Sequence, residues 1–472
     1  MTSAHPYTPF PLSDYEVYAL QDETPDYPMV MTFRIHLSGK VAPELLEQSL
    51  TFALRRHPLL NSTVDESKND WNWIQRPNAT LSFELTEFQS AQPPCAVSAE
   101  NINVRDTSGA KFELRMGTCS SVLICHLHHA CVDGIGGLEF LADALARYGQ
   151  LTENPGCEAP ELKDLDPDSL TRRSDVPTFN RPNGEPAPFW EWLQRPLQFL
   201  RGRVYPICGH GRRACSEQPQ MDTRVLTRRS YRRLKKLASA KGVSTNDLCM
   251  MAYFQQLAEW TSDDHGDRDT DLFRVLMPVS TRNPNHDRMS ASNAVTYVFH
   301  DIHRRDCRNP EALLASIHDR AVQMINGNEG AIVLKIFRLF RRWPILHRMS
   351  KGFRSSSPSA VFANVGDLRR VFGTRFPLEA GRVVAGSLTV DRIDGIAPLR
   401  ANTNVVVSVG TYAGELILNL RADPRKISNA DAELFLQQFV DRLNYIAEHQ
   451  TLIPAGDSTC MNHATEPAIA GT

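Results

Sequence analysis

The hydrophobic and polar positions in the first half of the chain predict strands that alternate with helices. Residues 30–37, VMTFRIHL, alternate apolar and polar side chains as a half-buried strand does. Over 44–56, leucines and alanines recur at helical spacing, until Pro58 disfavours a continued helix. The chain therefore opens with a βα unit. Similar patterns predict further strands at 71–74, 81–85 and 122–127, and a helix at 138–148.

The second half of the sequence shows the same alternation of strand and helix patterns. It predicts strands at 223–227, 272–279, 294–299, 384–390, 404–409 and 415–420, and helices at 231–241, 246–260, 310–325 and 428–449. Ser244 or Thr245 can cap the helix that begins at 246. Because strands and helices alternate in both halves, we expect an α/β or mixed α+β architecture with two sheet-bearing lobes.

A stretch rich in Pro, Asp, Asn and Gly, without periodicity, separates the two halves. This composition is typical of a surface linker. The predicted organisation is an N-terminal lobe over 1–160, a linker over 161–188, a C-terminal lobe over 189–452 and a disordered tail over 453–472.

Composition and charge exclude several classes of protein. The chain has 472 residues, 42% of them hydrophobic, and a net charge of −2, which favours a globular protein without a nucleic-acid partner. Its 10 cysteines show no CxxC spacing and indicate reduced thiols. The first residues lack the pattern of a signal peptide, and no run of about 18 apolar residues occurs. We expect a cytoplasmic location, and two lobes in one chain are compatible with a monomer.

The segment Cys125–Gly134, CHLHHACVDG, concentrates groups that can do chemistry. If the strand is extended to its end, His126 and His128 face one side and His129 faces the other, so the adjacent histidines need not share a role. An imidazole titrates near neutrality and is the natural general base for a hydroxyl or an amine. Asp133 can orient an imidazole or pair with a distant arginine.

Two other interpretations of this segment stay open. The histidines can be buried structural residues with satisfied hydrogen bonds. A zinc site, as in a zinc hydrolase, can draw on the cysteines and histidines of 125–131. Strand alternation divides those ligands between two faces, so we expect no metal.

Residues 128–134, HHACVDG, resemble the HHxxxDG signature of the chloramphenicol-acetyltransferase-like acyltransferases, which include peptide-synthetase condensation domains and wax ester synthase/diacylglycerol acyltransferases. Further segments are similar to motifs of this superfamily in the same order: 56–60 (RHPLL), 243–247 (VSTND), 277–282 (MPVSTR), 292–293 (SN) and 362–366 (FANVG). Ser292 and Ala363 depart from the usual residues. The resemblance spans about residues 8–450. The plant-type DFGWG motif is absent, which favours the condensation-like and wax ester synthase branches.

The resemblance implies two similar lobes, each a sheet flanked by helices, that form a V with a tunnel between them. It implies that His129 is the general base. It also implies that the base is supported by His128, Asp133, Gly134 and Arg282, with Asp133 salt-bridged to Arg282. Two asparagines, Asn293 and Asn364, are expected in the substrate tunnel.

The function implied is transfer of an acyl group from acyl-CoA or a phosphopantetheinyl carrier to a hydroxyl or amine acceptor. No acyl-enzyme and no permanently bound cofactor are expected, O-acyl transfer is favoured over N-acyl transfer, and a carrier protein would act in trans. The alternative is a non-catalytic condensation-like module that binds a carrier protein or a lipid.

A basic segment at 331–354, AIVLKIFRLFRRWPILHRMSKGFR, carries seven Lys and Arg and no acidic residue. Three interpretations stay open: peripheral contact with an anionic membrane, binding of CoA phosphates or an acidic carrier protein, and a surface helix with snorkelling arginines. A second Arg-rich cluster at 195–241 is poorly periodic and is interpreted as a solvated face.

Overall fold

The computed structural model describes residues 9–67, 70–76, 81–152, 158–174, 204–209, 218–261, 271–326, 329–352 and 357–454. The helices are α1 (Asp14–Asp22), α2 (Pro43–Arg56), α3 (Gly134–Leu151), α4 (Arg228–Ala240), α5 (Thr245–Trp260), α6 (Pro310–Asn326), α7 (Glu329–Arg342), α8 (Pro344–Gly352), α9 (Arg369–Phe372) and α10 (Asn429–His449). Short 3-10 helices occur at Pro167–Arg172, Pro284–His286 and Arg304–Arg308.

The strands are β1 (Phe10–Pro11), β2 (Val30–Gly39), β3 (Ser62–Asp65), β4 (Asn72–Gln75), β5 (Ser82–Glu87), β6 (Ala110–Met116), β7 (Ser120–His128), β8 (Asp222–Leu226), β9 (Leu272–Ser280), β10 (Val295–His303), β11 (Ala360–Asp367), β12 (Leu378–Glu379), β13 (Arg382–Ala385), β14 (Leu388–Ile396), β15 (Val405–Tyr412) and β16 (Glu415–Ala422).

Two large mixed sheets carry the fold. The first has the order β12-β13-β14-β2-β7-β6-β5, the second has the order β10-β9-β11-β15-β16-β8, and β1-β4-β3 form a small third sheet. Helix α3 packs against α2 and β13, while α10 packs against α4, α5, β8 and β16. The predicted mixed α/β fold with two sheet-bearing lobes is therefore confirmed.

Three strands from the second half of the chain belong to the first sheet. β14 pairs antiparallel with β2, with Ile393 opposite Ile35, and β13 and β12 follow outward. The single strand predicted at 384–390 is wrong, because a two-residue turn at Gly386 and Ser387 separates β13 from β14. Gly386 has a φ of +59°, a backbone conformation that glycine adopts without strain. The predicted linker at 161–188 stays a prediction, and its residues 175–188 lie outside the described residues, as do 455–472 of the predicted tail.

Two large cores and one small cluster of buried residues support the sheets, and the first core joins the lobes. Leucines 46, 50 and 54 of α2 are buried, as their helical spacing predicts. The first core also includes Leu276, Val361 and Ile417 of the second sheet. The lobes therefore meet along a packed apolar seam, and the candidate site lies within it.

Helix α1 begins at a capping box that the sequence analysis overlooks. Ser13 Oγ accepts a hydrogen bond from the Glu16 amide at 3.2 Å, and the Glu16 carboxylate accepts one from the Ser13 amide at 2.8 Å. The S-x-x-E spacing is a known start signal for a helix. This helix brings Tyr15 to the site described next.

Candidate active site

His129 follows directly after β7, and its backbone is held on both sides. Its amide donates to the Met29 carbonyl oxygen at 2.6 Å. The Asn293 side-chain amide donates to the carbonyl oxygens of His129 and Ala130 at 2.9 and 2.8 Å. These bonds connect the end of β7 to the start of β2 and to the loop before β10, so the position of the imidazole is set by both lobes.

The His129 ring has one nitrogen committed to the backbone. Nδ1 lies 3.0 Å from the Val132 carbonyl oxygen, and because a carbonyl only accepts, Nδ1 carries the hydrogen. Nε2 therefore holds the lone pair. Burial lowers the pKa of His129, although the Asp133 carboxylate opposes this shift. The ring is neutral at pH 7 and can accept a proton at Nε2.

Tyr15 of α1 contacts the same ring. Its hydroxyl oxygen lies 3.4 Å from Nδ1 and 3.3 Å from Nε2 of His129. An oxygen almost equidistant from both nitrogens is not aligned with the lone-pair axis of either, because those axes diverge, so this contact leaves the Nε2 lone pair accessible. The short hydrogen bond of Tyr15 is to the Tyr297 hydroxyl at 2.8 Å. Burial raises the pKa of both tyrosines, so both hydroxyls stay protonated near neutrality.

His128 has different surroundings from its neighbour. It is fully buried, and its Nδ1 accepts a hydrogen bond from the Ala130 amide at 3.1 Å. Nε2 therefore carries the hydrogen and donates to the Glu23 carboxylate at 3.2 Å, which also accepts from the Met29 amide at 3.1 Å. These contacts connect β7 to the end of α1, and both ring nitrogens of His128 are used by the protein itself.

Asp133 and Arg282 form a bidentate ion pair between the two halves of the chain. The guanidinium nitrogens lie 2.7 and 2.9 Å from the two carboxylate oxygens. The amides of Gly136 and Ala294 each donate to Asp133 at 2.8 Å. Burial alone would raise the pKa of Asp133, but Arg282 and these amides outweigh it and lower the pKa. Both oxygens are thus occupied by donors other than the His129 ring.

Close backbone approach explains the glycine at position 136. Asp133 is the N-cap of α3, and Gly134 is the first helical residue and lines the cavity. A Cβ on Gly136 would lie 2.6 Å from the Ser292 carbonyl oxygen, closer than packed atoms tolerate. Helix α3 can therefore approach the loop that carries Asn293 only with glycine at this position.

A cavity of about 130 Å³ lies between the two large sheets, and His129 is on its wall. The residue is only 9% exposed. The wall is mostly apolar and comes from both lobes, with residues that include Met31, Phe33, Gly134, Leu138, Val295, Val365, Ile393, Ile396 and Ile417. Its polar members are His129, Asp133, Ser280, Arg282, Asn364, Ser408 and Asn419. An apolar cavity with a few converging polar groups is the usual form of a small-molecule site.

The two asparagines expected in the tunnel lie in different places. Asn364 of β11 lines the cavity and is exposed, so the cavity reaches solvent on this side. Its side chain donates to Asn246 Oδ1 at 2.7 Å and accepts from the Gly366 amide at 2.8 Å. Asn293 is buried beneath the His129 backbone and is not on the described cavity wall. Its place in the substrate tunnel stays a prediction, and its observed contacts hold the loop that carries His129.

Residues 56–60 hold the elements around the site in place and are not on the cavity wall. Arg56 Nε lies 2.9 Å and Arg375 Nη1 lies 2.8 Å from the Asp143 carboxylate on α3. His57 Nδ1 accepts a hydrogen bond from the Ala291 amide at 2.8 Å, close to Asn293 in the chain. The end of α2 thus fixes both α3 and the loop that holds His129.

Within the described part of the chain, no three His, Cys, Asp or Glu side chains gather as metal ligands would. Burial raises the pKa of the Cys125 and Cys131 thiols, which opposes the thiolate form that binds zinc.

None of the described helices combines the length and apolar character needed to span a bilayer.

Tyr15 and Tyr297 are residues of the site that the sequence does not predict. The contact between Tyr15 and His129 joins residues that are 114 positions apart. Nothing in a helical or strand pattern indicates such a distant contact. The overlooked capping box at Ser13 and Glu16 is the signal that would have placed Tyr15 on a helix.

Comparison with solved structures defines the class of fold. The chain is similar to the TRI3 trichothecene 15-O-acetyltransferase from Fusarium sporotrichioides, with a TM-score of 0.66 and 12% identity over 92% of this chain and 94% of that one. It is similar to the first condensation domain of the CDA synthetase, with a TM-score of 0.64 and 12% identity over 95% and 97%. For polyketide synthase associated protein 5 from Mycobacterium tuberculosis, the TM-score is 0.62, with 14% identity over 94% and 100%.

The chain thus shares the two-lobed fold of these structures, among them a condensation domain and an acetyltransferase, as its motifs predict. At this level of identity the likeness establishes the fold. No protein-family model matches the sequence, and no curated protein matches it.

Proposed function

We propose that the protein is an acyltransferase in which His129 is the general base. The observation that carries the proposal is the neutral imidazole on the wall of the cavity between the lobes, whose Nδ1 is bonded to the Val132 carbonyl so that Nε2 holds the lone pair. A general base needs a lone pair within reach of a substrate proton and a pKa at or below the working pH. The orientation of the His129 ring and its lowered pKa support this role.

The reaction is direct transfer from a thioester to a hydroxyl or amine. Nε2 of His129 takes the acceptor proton while the acceptor oxygen or nitrogen bonds to the thioester carbonyl carbon. Collapse of the tetrahedral intermediate breaks the carbon–sulfur bond, and the leaving sulfur receives the proton from the imidazolium. The Val132 carbonyl stabilises that imidazolium through Nδ1–H. General-base catalysis of this kind contributes roughly 10²–10⁴-fold to the rate.

Asp133 and Arg282 act through the loop rather than on the substrate. Their bidentate pair spans the lobes and caps α3, whose first residue, Gly134, lines the cavity. Asn293 fixes the backbone of His129 from the same side. Such positioning keeps the base within the narrow range of geometry that catalysis needs.

The donor proposed is acyl-CoA or an acyl phosphopantetheinyl carrier in trans, with no resident cofactor. The fold is shared with a protein named as an O-acetyltransferase and with condensation domains, which supports both donors. We favour O-acyl transfer over N-acyl transfer. The described cysteines are all free, which supports a reducing, cytoplasmic location.

Incubation with a panel of acyl-CoAs and acceptors tests this proposal. We expect thiol release that depends on both substrates, with ester or amide product detected by mass spectrometry. A protein that binds acyl-CoA or an acylated carrier without turnover with any acceptor is instead the non-catalytic binding module. Activity that requires stoichiometric zinc would favour a metallohydrolase.

A further inference from the structure

The corner between α7 and α8 exposes a concentrated set of large apolar side chains, here called the apolar corner. Its members are Leu339, Trp343, Ile345, Leu346 and Met349, which are 46%, 55%, 57%, 37% and 55% exposed. Half of the exposed large hydrophobic residues in the described part of the chain lie in these 11 positions. Contiguous exposed apolar groups on a soluble protein mark an interaction surface.

The opposite faces of the same helices hold them to the protein. The Phe337 ring stacks on Tyr18 with ring centroids 4.1 Å apart, and Phe340 stacks on Tyr18 at 6.3 Å. Arg341 donates to the Leu12 carbonyl at 2.8 Å, and His347 lies 3.4 Å from the Asp22 carboxylate. The helices are therefore anchored without the apolar corner, which is not needed for their packing.

Cations surround the apolar corner. Lys335, Arg342 and Arg348 are exposed, and among the described residues no carboxylate forms an ion pair with them. Arg338 lies 3.1 Å from Asp14, yet its side chain is 79% exposed. No acidic residue occurs between positions 331 and 352. The corner therefore combines apolar groups with uncompensated positive charge.

We propose that the apolar corner docks the protein on an anionic membrane surface. Trp343 lies between the end of α7 at Arg342 and the start of α8 at Pro344, so two successive helices contribute exposed apolar side chains to the corner. Projecting apolar groups insert into the headgroup region, tryptophan prefers that interface, and flanking cations bind anionic lipid. A peptide or protein helix would instead need a groove to receive it. The proposal rests on this surface alone and does not depend on acyl transfer.

Vesicle flotation of the full-length protein tests the proposal. We expect wild type to bind vesicles of phosphatidylcholine that contain phosphatidylglycerol, and to bind pure phosphatidylcholine vesicles much more weakly. The double variant Ile345→Ser/Met349→Ser removes apolar groups, and Arg342→Gln/Arg348→Gln removes charge. Each should weaken binding roughly tenfold or more. Leu434→Ser, a matched change of a 49% exposed leucine on α10, should bind like wild type.

Trp343 provides a readout that does not depend on flotation. On addition of anionic vesicles its fluorescence should shift to shorter wavelength, and Trp343→Phe should abolish that shift. Thermal unfolding midpoints equal to that of wild type show that each variant is folded. Failure of wild type to bind anionic vesicles overturns the proposal, and so does unchanged binding of folded corner variants. Binding of an acidic carrier protein through these residues, without vesicle binding, overturns it in favour of a protein partner.

Discussion

The Tyr15 hydroxyl lies within 3.4 Å of both ring nitrogens of His129 and 2.8 Å from the Tyr297 hydroxyl. Tyr15 comes from α1 and Tyr297 from β10, so the two lobes meet at a hydrogen bond beside the candidate base. The ring of His129 therefore has two polar neighbours of its own chain, the Val132 carbonyl and the Tyr15 hydroxyl. The first sets which nitrogen is protonated, and the second restricts how the ring turns.

Tyr15→Phe keeps the aromatic ring and removes the contact with His129. The change also removes the hydrogen bond to Tyr297 that holds the Tyr15 hydroxyl beside the ring. Because one hydrogen bond contributes about 0.5–1.5 kcal/mol, we expect kcat to fall roughly three- to tenfold, with little change in KM. Steady-state kinetics measure this, and an unchanged thermal unfolding midpoint separates positioning from loss of fold. Tyr445→Phe, on α10 and away from the cavity wall, is the matched control. Equal kcat values for both variants would show that Tyr15 does not position His129.

The pH dependence follows from the lowered pKa of His129. The base must be neutral to accept a proton, and burial lowers its pKa below the ordinary value of about 6.5. The rate should therefore rise with pH along an acidic limb centred below pH 6.5 and then stay constant until other groups titrate. A pH profile of kcat/KM measures this. An acidic limb centred above pH 6.5 would contradict the assignment of His129 as a buried neutral base.

Loss of one partner of the Asp133–Arg282 pair should destabilise the fold. Arg282→Met leaves a buried carboxylate with only two amide donors, which costs about 3–5 kcal/mol in the free energy of unfolding. Denaturant unfolding measures this. Lys241→Met, which breaks the more exposed pair with Glu311, should cost less than about 1 kcal/mol.

A double variant separates pairing from packing. Asp133→Asn/Arg282→Met should be less destabilised than the sum of the single variants, because it leaves no isolated charge. Strict additivity would show that the two side chains do not act as a pair. Loss of rate without loss of stability in the single variants would make Asp133 a direct participant in the reaction.

Local patterns of hydrophobic residues predict single helices and strands, whereas motifs predict a contact between distant residues. The spacing of leucines 46, 50 and 54 predicts α2, and alternation at 30–37 predicts β2, because these signals depend on neighbours in the chain. The pairing of Asp133 with Arg282, 149 positions away, is predicted only through the resemblance of two motifs. Its presence in the structure agrees with that expectation.

Contacts without a motif escape prediction. The pairing of β14 with β2 joins distant positions such as Ile393 and Ile35, and both strands have ordinary apolar patterns. The Gly386-Ser387 pair is a two-residue turn signal between apolar residues, and the prediction of a single strand at 384–390 overlooks it. Asn293 carries a recognised motif, yet the sequence does not show whether its amide faces substrate or backbone, since that depends on how closely α3 approaches at Gly136.

The most direct test of the account is acyl transfer by His129→Ala in the presence of saturating donor and acceptor. With His449→Ala, an exposed histidine on α10, as the matched control, we expect His129→Ala to lose roughly 10²–10⁴-fold in the rate of product formation at an unchanged unfolding midpoint. Product formation by folded His129→Ala at the wild-type rate would contradict the central claim.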